Sequence, residues 1–75
     1  MEAWKKRFIQ EYKELRDRTE KLANMLVGYE AGTLPFKPKC SFSVLHEQLI
    51  YMKGYLKVLE ERALIENIKL EDESC

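Results

Sequence analysis

Two stretches of the chain carry apolar residues at alternating steps of three and four, the spacing that places side chains on one face of an α-helix. In the first stretch this face consists of Phe8, Tyr12, Leu15, Thr19, Leu22, Leu26 and Tyr29. In the second it consists of Phe42, Leu45, Leu49, Met52, Leu56, Leu59 and Ala63. We call each set a seam. Facing seams predict an all-α fold, an antiparallel two-helix hairpin.

The same spacing sets the expected organisation of the chain. We predict a single α-hairpin domain over residues 1–70, with a helix over 2–30, a connector over 31–41 and a second helix over 42–66. The acidic residues 71–75 are predicted to be a disordered tail.

Residues that begin or end helices lie near these boundaries. Gly32 and Asn67 suit the left-handed position that follows a helix, and Ile68 can close the last turn of the second helix through an apolar contact. Ser41 or Ser43 can accept a bond from a first-turn amide.

The connector contains Leu34 and Phe36, and Phe42 follows it. A solvated loop has no need of three large apolar groups. We therefore expect the connector to fold back over the open end of the hairpin and cap it.

The second helix carries another face, which we call the second stripe. Its members are Val44, Gln48, Tyr51, Tyr55, Val58, Arg62 and Ile65. Seam and second stripe together make this helix apolar over more than half of its circumference, more than one partner helix can cover. A chain of 75 residues also buries little core. The sequence thus predicts a homo-oligomeric helical bundle, either a four-helix dimer or a larger ring.

Charge narrows the classes of partner. The net charge is zero, from 13 basic and 13 acidic residues, with +3 over residues 1–39 and −3 over residues 40–75. A protein that binds duplex nucleic acid normally has an uncompensated basic stripe, so no such partner is expected, although a small anionic ligand needs only a few cations. The amino terminus has no apolar run long enough for a signal peptide or membrane span. We therefore expect a cytoplasmic protein that has no membrane partner.

Catalytic and metal chemistry find little support. His46 is the only histidine, and its neighbour Glu47 points about 100° away on a helix, so the two do not form a catalytic couple. Cys40, Cys75 and His46 lack the spacing of a zinc finger or metalloprotease motif. We predict a protein that is not an enzyme, with two reduced thiols, no metal site and no cofactor.

The second stripe holds the residues that suggest ligand binding. Tyr51 or Tyr55 can stack on a nucleobase, Arg62 can hold a phosphate through its planar fork, and Gln48 can contact a base edge. Each has a structural alternative. The tyrosines can pack in oligomer contacts, Arg62 can pair with Glu66 or an acid of a neighbouring chain, and Gln48 can bond across an interface.

Two connector lysines, Lys37 and Lys39, complete the candidate set. They would be useful beside a phosphate, closing a pocket from a neighbouring subunit. As exposed loop residues they can also serve only solubility.

Two segments resemble a known family: EAGTLPF at Glu30–Phe36 and HEQLIYMKGYLKVLEERALIENI at His46–Ile68. Both are similar to short helical-hairpin proteins of phages and prophages, the crAss-type-phage-related proteins. Small oligomeric phage hairpins include sponge proteins, which sequester nucleotide second messengers of bacterial antiphage defences such as CBASS and Thoeris. That analogy assigns ligand contacts to Gln48, Met52, Tyr55 and Arg62.

The resemblance implies a phage-encoded immune-evasion protein of the bacterial cytosol that binds a cyclic nucleotide or ADP-ribose-type messenger between its subunits. The alternative is a helical protein–protein interaction module with no small-molecule ligand.

Overall fold

The two seams face each other in the folded chain. The structure is a computed structural model that describes residues 2–70. Helix α1 spans Ala3–Ala31 and helix α2 spans Phe42–Ile65, and no strand occurs within the described residues. Tyr29 near the end of α1 lies edge-on against Phe42 at the start of α2, with ring centroids 5.7 Å apart. The helices are therefore antiparallel, which confirms the predicted all-α hairpin. Its assembly into a larger bundle stays a prediction, and residues 71–75, expected to be a disordered tail, lie outside the described part.

The core is concentrated where α1 begins and α2 ends. Its buried cluster consists of Phe8, Tyr12, Leu59, Ala63 and Ile68. Half-buried residues that pack against this cluster are Ile9, Leu15, Leu56 and Leu70. Ile68 and Leu70 follow α2, so the segment after the helix folds back and helps to cover this end of the hairpin.

Thr19 is a polar residue on the α1 seam, and it is buried at 5% exposure. Its hydroxyl donates a 2.7 Å hydrogen bond to the carbonyl oxygen of Leu15, one turn earlier. Burial of an unsatisfied hydroxyl is costly, so this bond allows the seam to continue through a polar position.

A left-handed residue follows α1. Gly32 has a φ of 73°, and its N–H donates to the carbonyl of Tyr29, while the N–H of Thr33 donates to the carbonyl of Gly28 at 2.9 Å. This pair of bonds is a Schellman motif. The predicted stop at Gly32 is confirmed.

The end of α2 repeats the motif without glycine. Asn67 has a φ of 56°, and the N–H of Ile68 donates to the carbonyl of Ala63 at 2.8 Å. Since Ile68 and Ala63 also belong to the core cluster, the apolar contact that accompanies this motif is present. The predicted roles of Asn67 and Ile68 are confirmed.

The connector packs only in part. A Cβ atom on Gly28 would lie 3.0 Å from Cδ2 of Leu34, so the missing side chain lets the half-buried Leu34 approach α1 closely. Phe36 remains 56% exposed, so the predicted folding of the connector over this end is only partial. Ser41 begins α2, where its hydroxyl accepts a bond from the N–H of Val44, and this settles the choice between Ser41 and Ser43.

Candidate functional site

The second stripe of α2 lies on the solvent side of the hairpin. All seven of its residues are exposed. Among the apolar and aromatic members, the exposed fraction ranges from 46% at Tyr55 to 77% at Ile65. Because α1 covers mainly the seam of α2, the tyrosines and the arginine of the stripe remain accessible to another molecule.

Tyr55 extends from this face to α1, where its hydroxyl donates a hydrogen bond to Oε2 of Glu11. That bond, some burial and the negative charge of Glu11 raise the pKa of Tyr55, and the positive charge of Arg62 opposes the rise. The phenol is therefore neutral at physiological pH. Part of the ring remains open to solvent, so it can still stack on a planar ligand.

Arg62 rests on the core instead of extending freely into solvent. Its Cζ atom lies 4.8 Å from the centroid of the Phe8 ring, a cation–π contact with a side chain that is only 5% exposed. Nη2 of Arg62 lies 3.8 Å from Oε2 of Glu66, near enough for charge attraction but too far for a hydrogen bond. The pairing of Arg62 with Glu66, one of the alternatives derived from the sequence, is present.

Gln48 and Met52 lie at the edge between stripe and seam. The amide of Gln48 donates to the sulfur of Met52 at 3.7 Å, and Met52 is half-buried. Tyr51 is 69% exposed, the most exposed aromatic side chain among the described residues. Its ring offers the largest open stacking surface on the stripe.

Lys37 lines a cleft at the connector end of the hairpin. This cleft has a volume of ≈220 Å³, and its walls are Gly28, Tyr29, Gly32, Leu34, Phe36, Lys37 and Pro38. Lys39 is exposed nearby in sequence but does not line the cleft. The connector thus combines aromatic rings with cationic groups, although the volume is below that of a typical drug-sized pocket.

The predicted site residues do not form one pocket within a single chain. Gln48 and Arg62 are separated by roughly 21 Å along the helix axis, from a rise of about 1.5 Å per residue. The two lysines precede α2, beyond its Gln48 end. Within the described residues, Gln48 contacts Met52, and the positive charge of Arg62 acts on Tyr55. A site that used the whole set would need side chains from more than one copy.

Another cleft lies at the opposite end of the hairpin, with a volume of ≈650 Å³. It is lined by Glu2, Lys5, Asn67, Ile68 and Lys69. None of the residues predicted to bind a ligand lies in it.

Phe8 and Glu11 contact the second stripe, and sequence reasoning did not assign them to the site. Glu11 lies 20 residues before the end of α1, whereas Tyr55 lies 13 residues after the start of α2, so the two are not level with each other and meet through the reach of their side chains. Phe8 was placed in the core on its spacing alone, where it does lie. Counting outward from the connector would instead place Glu11 opposite Arg62, so the observed contacts with Tyr55 and Arg62 could not be identified from the sequence.

The remaining chemical groups are isolated. No cluster of three or more histidine, cysteine or acidic side chains suited to a metal occurs in residues 2–70. Cys40 is an exposed free thiol, and the ring of His46 stacks on Phe42 at a centroid distance of 5.7 Å. Neither described helix has the length and apolarity needed to cross a membrane.

Comparison with known proteins gives a family match. The family model described as Sequestin matches residues 2–65, which include α1, the connector and all of α2. No curated protein and no solved structure matches the chain.

Proposed function

Because this chain belongs to the Sequestin family, we propose that it sequesters a nucleotide second messenger of bacterial antiphage defence. The family name indicates a sequestering function, in agreement with the resemblance to sponge proteins, and favours a binding protein over a catalyst. The proposed ligand is a cyclic nucleotide or an ADP-ribose-type molecule. The proposed setting is the cytosol of a bacterial host, with the gene carried by a phage.

The observation that carries this proposal is the exposure of aromatic and cationic groups on one helix face. Tyr51 and Tyr55 lie one turn apart there, with 69% and 46% of their surfaces open. Stacking of a nucleobase on an aromatic side chain contributes about 1–3 kcal/mol. Arg62 lies farther along the same face and can form a charge-assisted, bidentate pair with a phosphate. A nucleotide offers both of these groups, a flat ring and an anion.

We place the ligand between subunits. In this arrangement Gln48 contacts a base edge, Met52 supports it from the seam, and Lys37 or Lys39 reaches the phosphate from a neighbouring copy. The separation of the lysines from Arg62 within one chain supports a composite site. A homo-oligomer would also cover apolar members of the stripe that a ligand does not reach.

Calorimetry with a panel of cyclic dinucleotides, cyclic ADP-ribose isomers and ADP-ribose tests the proposal. Tyr51→Ala and Arg62→Ala should each weaken the binding of the active compound at least tenfold. Ile50→Ala and Lys57→Ala are matched controls, because these side chains are exposed on α2 outside the stripe. Controls that lose binding as strongly as the stripe variants would contradict the assignment of the site.

The same purified protein distinguishes the second candidate function, a docking module for another protein. Exposed Val44, Val58 and Ile65 favour it, because apolar groups at helical spacing suit a partner helix. Under that function no panel compound binds, the denatured protein releases no nucleotide to mass spectrometry, and Arg62→Ala lowers assembly or partner binding. A released nucleotide or a calorimetric signal would reject it.

A further inference from the structure

We propose that Glu66 competes with the phosphate group of the ligand for Arg62, so that this carboxylate sets a threshold for binding. This inference rests on the proposed function. It adds a regulatory role for Glu66, a residue outside the predicted site. It starts from three neighbouring side chains, Phe8, Arg62 and Glu66.

Phe8 holds one face of the Arg62 guanidinium. With Cζ 4.8 Å above the centroid of a core ring, the cation is held by the fold, not only by its flexible stem. A cation–π contact does not use up the N–H donors of the guanidinium as a hydrogen bond to an acceptor would. A cation fixed in this way loses less conformational freedom when it binds an anion.

The donors of Arg62 are not engaged in hydrogen bonds within residues 2–70. Among the described residues Glu66 is their anionic neighbour, at 3.8 Å, and both side chains are partly exposed, 51% for Arg62 and 37% for Glu66. A pair with this geometry has charge attraction without directional bonding, and exposed pairs contribute about 0.2–1 kcal/mol. It is therefore strong enough to oppose an incoming anion and weak enough to be displaced.

A phosphate would displace this carboxylate for a geometric reason. Phosphate oxygens can accept two parallel N–H bonds from a guanidinium, which are shorter and stronger than a contact at 3.8 Å. Glu66 would then have to move away from the ligand's negative charge. Glu11, an acid of α1 that also borders the stripe, accepts a hydrogen bond from the hydroxyl of Tyr55, so its carboxylate already has a donor.

The test is calorimetric titration of wild type, Glu66→Gln, Glu61→Gln and Arg62→Ala with inorganic pyrophosphate and, separately, with ADP-ribose and a cyclic dinucleotide. Glu61 is the matched control: it is exposed on the same helix and gives the same change in net charge. Removal of the competing charge in Glu66→Gln should tighten pyrophosphate binding roughly two- to fivefold, the affinity equivalent of one exposed ion pair. Glu61→Gln should bind as wild type, and Arg62→Ala should bind more weakly.

The outcomes separate this inference from the proposed function. Equal pyrophosphate affinities of Glu66→Gln and Glu61→Gln, or no binding by any variant, would overturn the competition. If Glu66→Gln and Glu61→Gln bind pyrophosphate equally but Arg62→Ala binds a nucleotide more weakly than wild type does, the proposed function remains intact without the competition. Tighter pyrophosphate binding by Glu66→Gln alone, with no response to either nucleotide, would support the competition and reject these messengers as ligands. Thermal melts by circular dichroism verify that all four proteins are folded.

Discussion

Replacement of Leu59 or Val58 by alanine, in separate variants, tests whether the seam of α2 stabilises the hairpin while the second stripe is free to contact another molecule. These residues are adjacent in sequence, yet Leu59 is 1% exposed and Val58 is 49% exposed. Leu59 belongs to the core cluster, whereas Val58 belongs to the second stripe. Leu59→Ala therefore removes packed core, and Val58→Ala removes surface that faces solvent in the isolated hairpin.

The two substitutions should lower the free energy of unfolding by very different amounts. Leu59→Ala leaves a cavity that its neighbours fill only in part, at a cost of about 3 kcal/mol. A 75-residue chain has a total free energy of unfolding of only roughly 4–11 kcal/mol. In a domain of this size each kcal/mol shifts the melting temperature by roughly 4–8 °C, so we expect Leu59→Ala to lower it by roughly 10–25 °C. Val58→Ala should change the stability of one hairpin by less than about 0.5 kcal/mol.

The assay is thermal unfolding followed by far-ultraviolet circular dichroism at a low and a high protein concentration. Leu59→Ala should melt early at both concentrations, because it damages the hairpin itself. If a second copy covers the stripe, as we propose, Val58→Ala should lower the melting temperature only at the high concentration, because association stabilises by mass action.

Two results would refute this reasoning. A Leu59→Ala protein that melts with wild type would show that the cluster around Leu59 does not stabilise the fold. A Val58→Ala protein destabilised by several kcal/mol at both concentrations would show that Val58 is packed within one chain.

Three further predictions concern local features. Gly32→Ala should destabilise the protein by about 1 kcal/mol, because a φ of 73° strains an L-residue. Gly54→Ala should stabilise it by a similar amount, because Gly54 lies within α2 and an added Cβ would meet no neighbouring atom. Urea unfolding measures both changes. Folding raises the pKa of Tyr55, so the protonated hydroxyl favours the folded state. This contribution to the free energy of unfolding is fully present below the ordinary phenol pKa of about 10, and it is lost as the pH rises through the pKa of Tyr55 in the folded protein. Tyr55→Phe should therefore flatten the decline of stability at alkaline pH in urea titrations. Ser41→Ala should cost about 0.5–1 kcal/mol through loss of its cap bond, and Ser43→Ala much less, by the same measurement.

Periodicity was sufficient to predict the fold because a two-helix hairpin has few ways to hide its apolar residues. The spacing of Phe8, Tyr12, Leu59 and Ala63 defines one face on each helix, and all four are buried. The ends of the helices could also be predicted, because Gly and Asn are the residues that most readily adopt the left-handed conformation in which many helices end, and Gly32 and Asn67 both adopt it. Packing of the connector was not predictable from composition, since Phe36 is as apolar as Leu34 but remains exposed.

The candidate site was less predictable than the fold. Sequence spacing placed Tyr55 and Arg62 on one face of α2, which the structure agrees with, but it did not identify what each side chain touches. Those contacts depend on the register between helices and on side-chain reach: Tyr55 bonds to Glu11, and Arg62 lies over Phe8. The roles of Gln48, Met52 and the connector lysines in binding stay predictions, because they depend on molecules other than a single chain.

The length of the second stripe argues that ligand binding and self-assembly would occur together on one face. Val44 and Ile65 are separated by about 32 Å along the helix, from a rise of about 1.5 Å per residue, whereas Tyr51 and Tyr55 span only about 6 Å. A nucleotide stacked on the two tyrosines would cover the centre of the stripe and leave Val44 and Ile65 in water, where both are more than half exposed. A second copy of α2 is long enough to cover these ends. We therefore expect apolar contacts at the ends of the stripe to hold the subunits together, while the tyrosines and Arg62 between them bind the ligand.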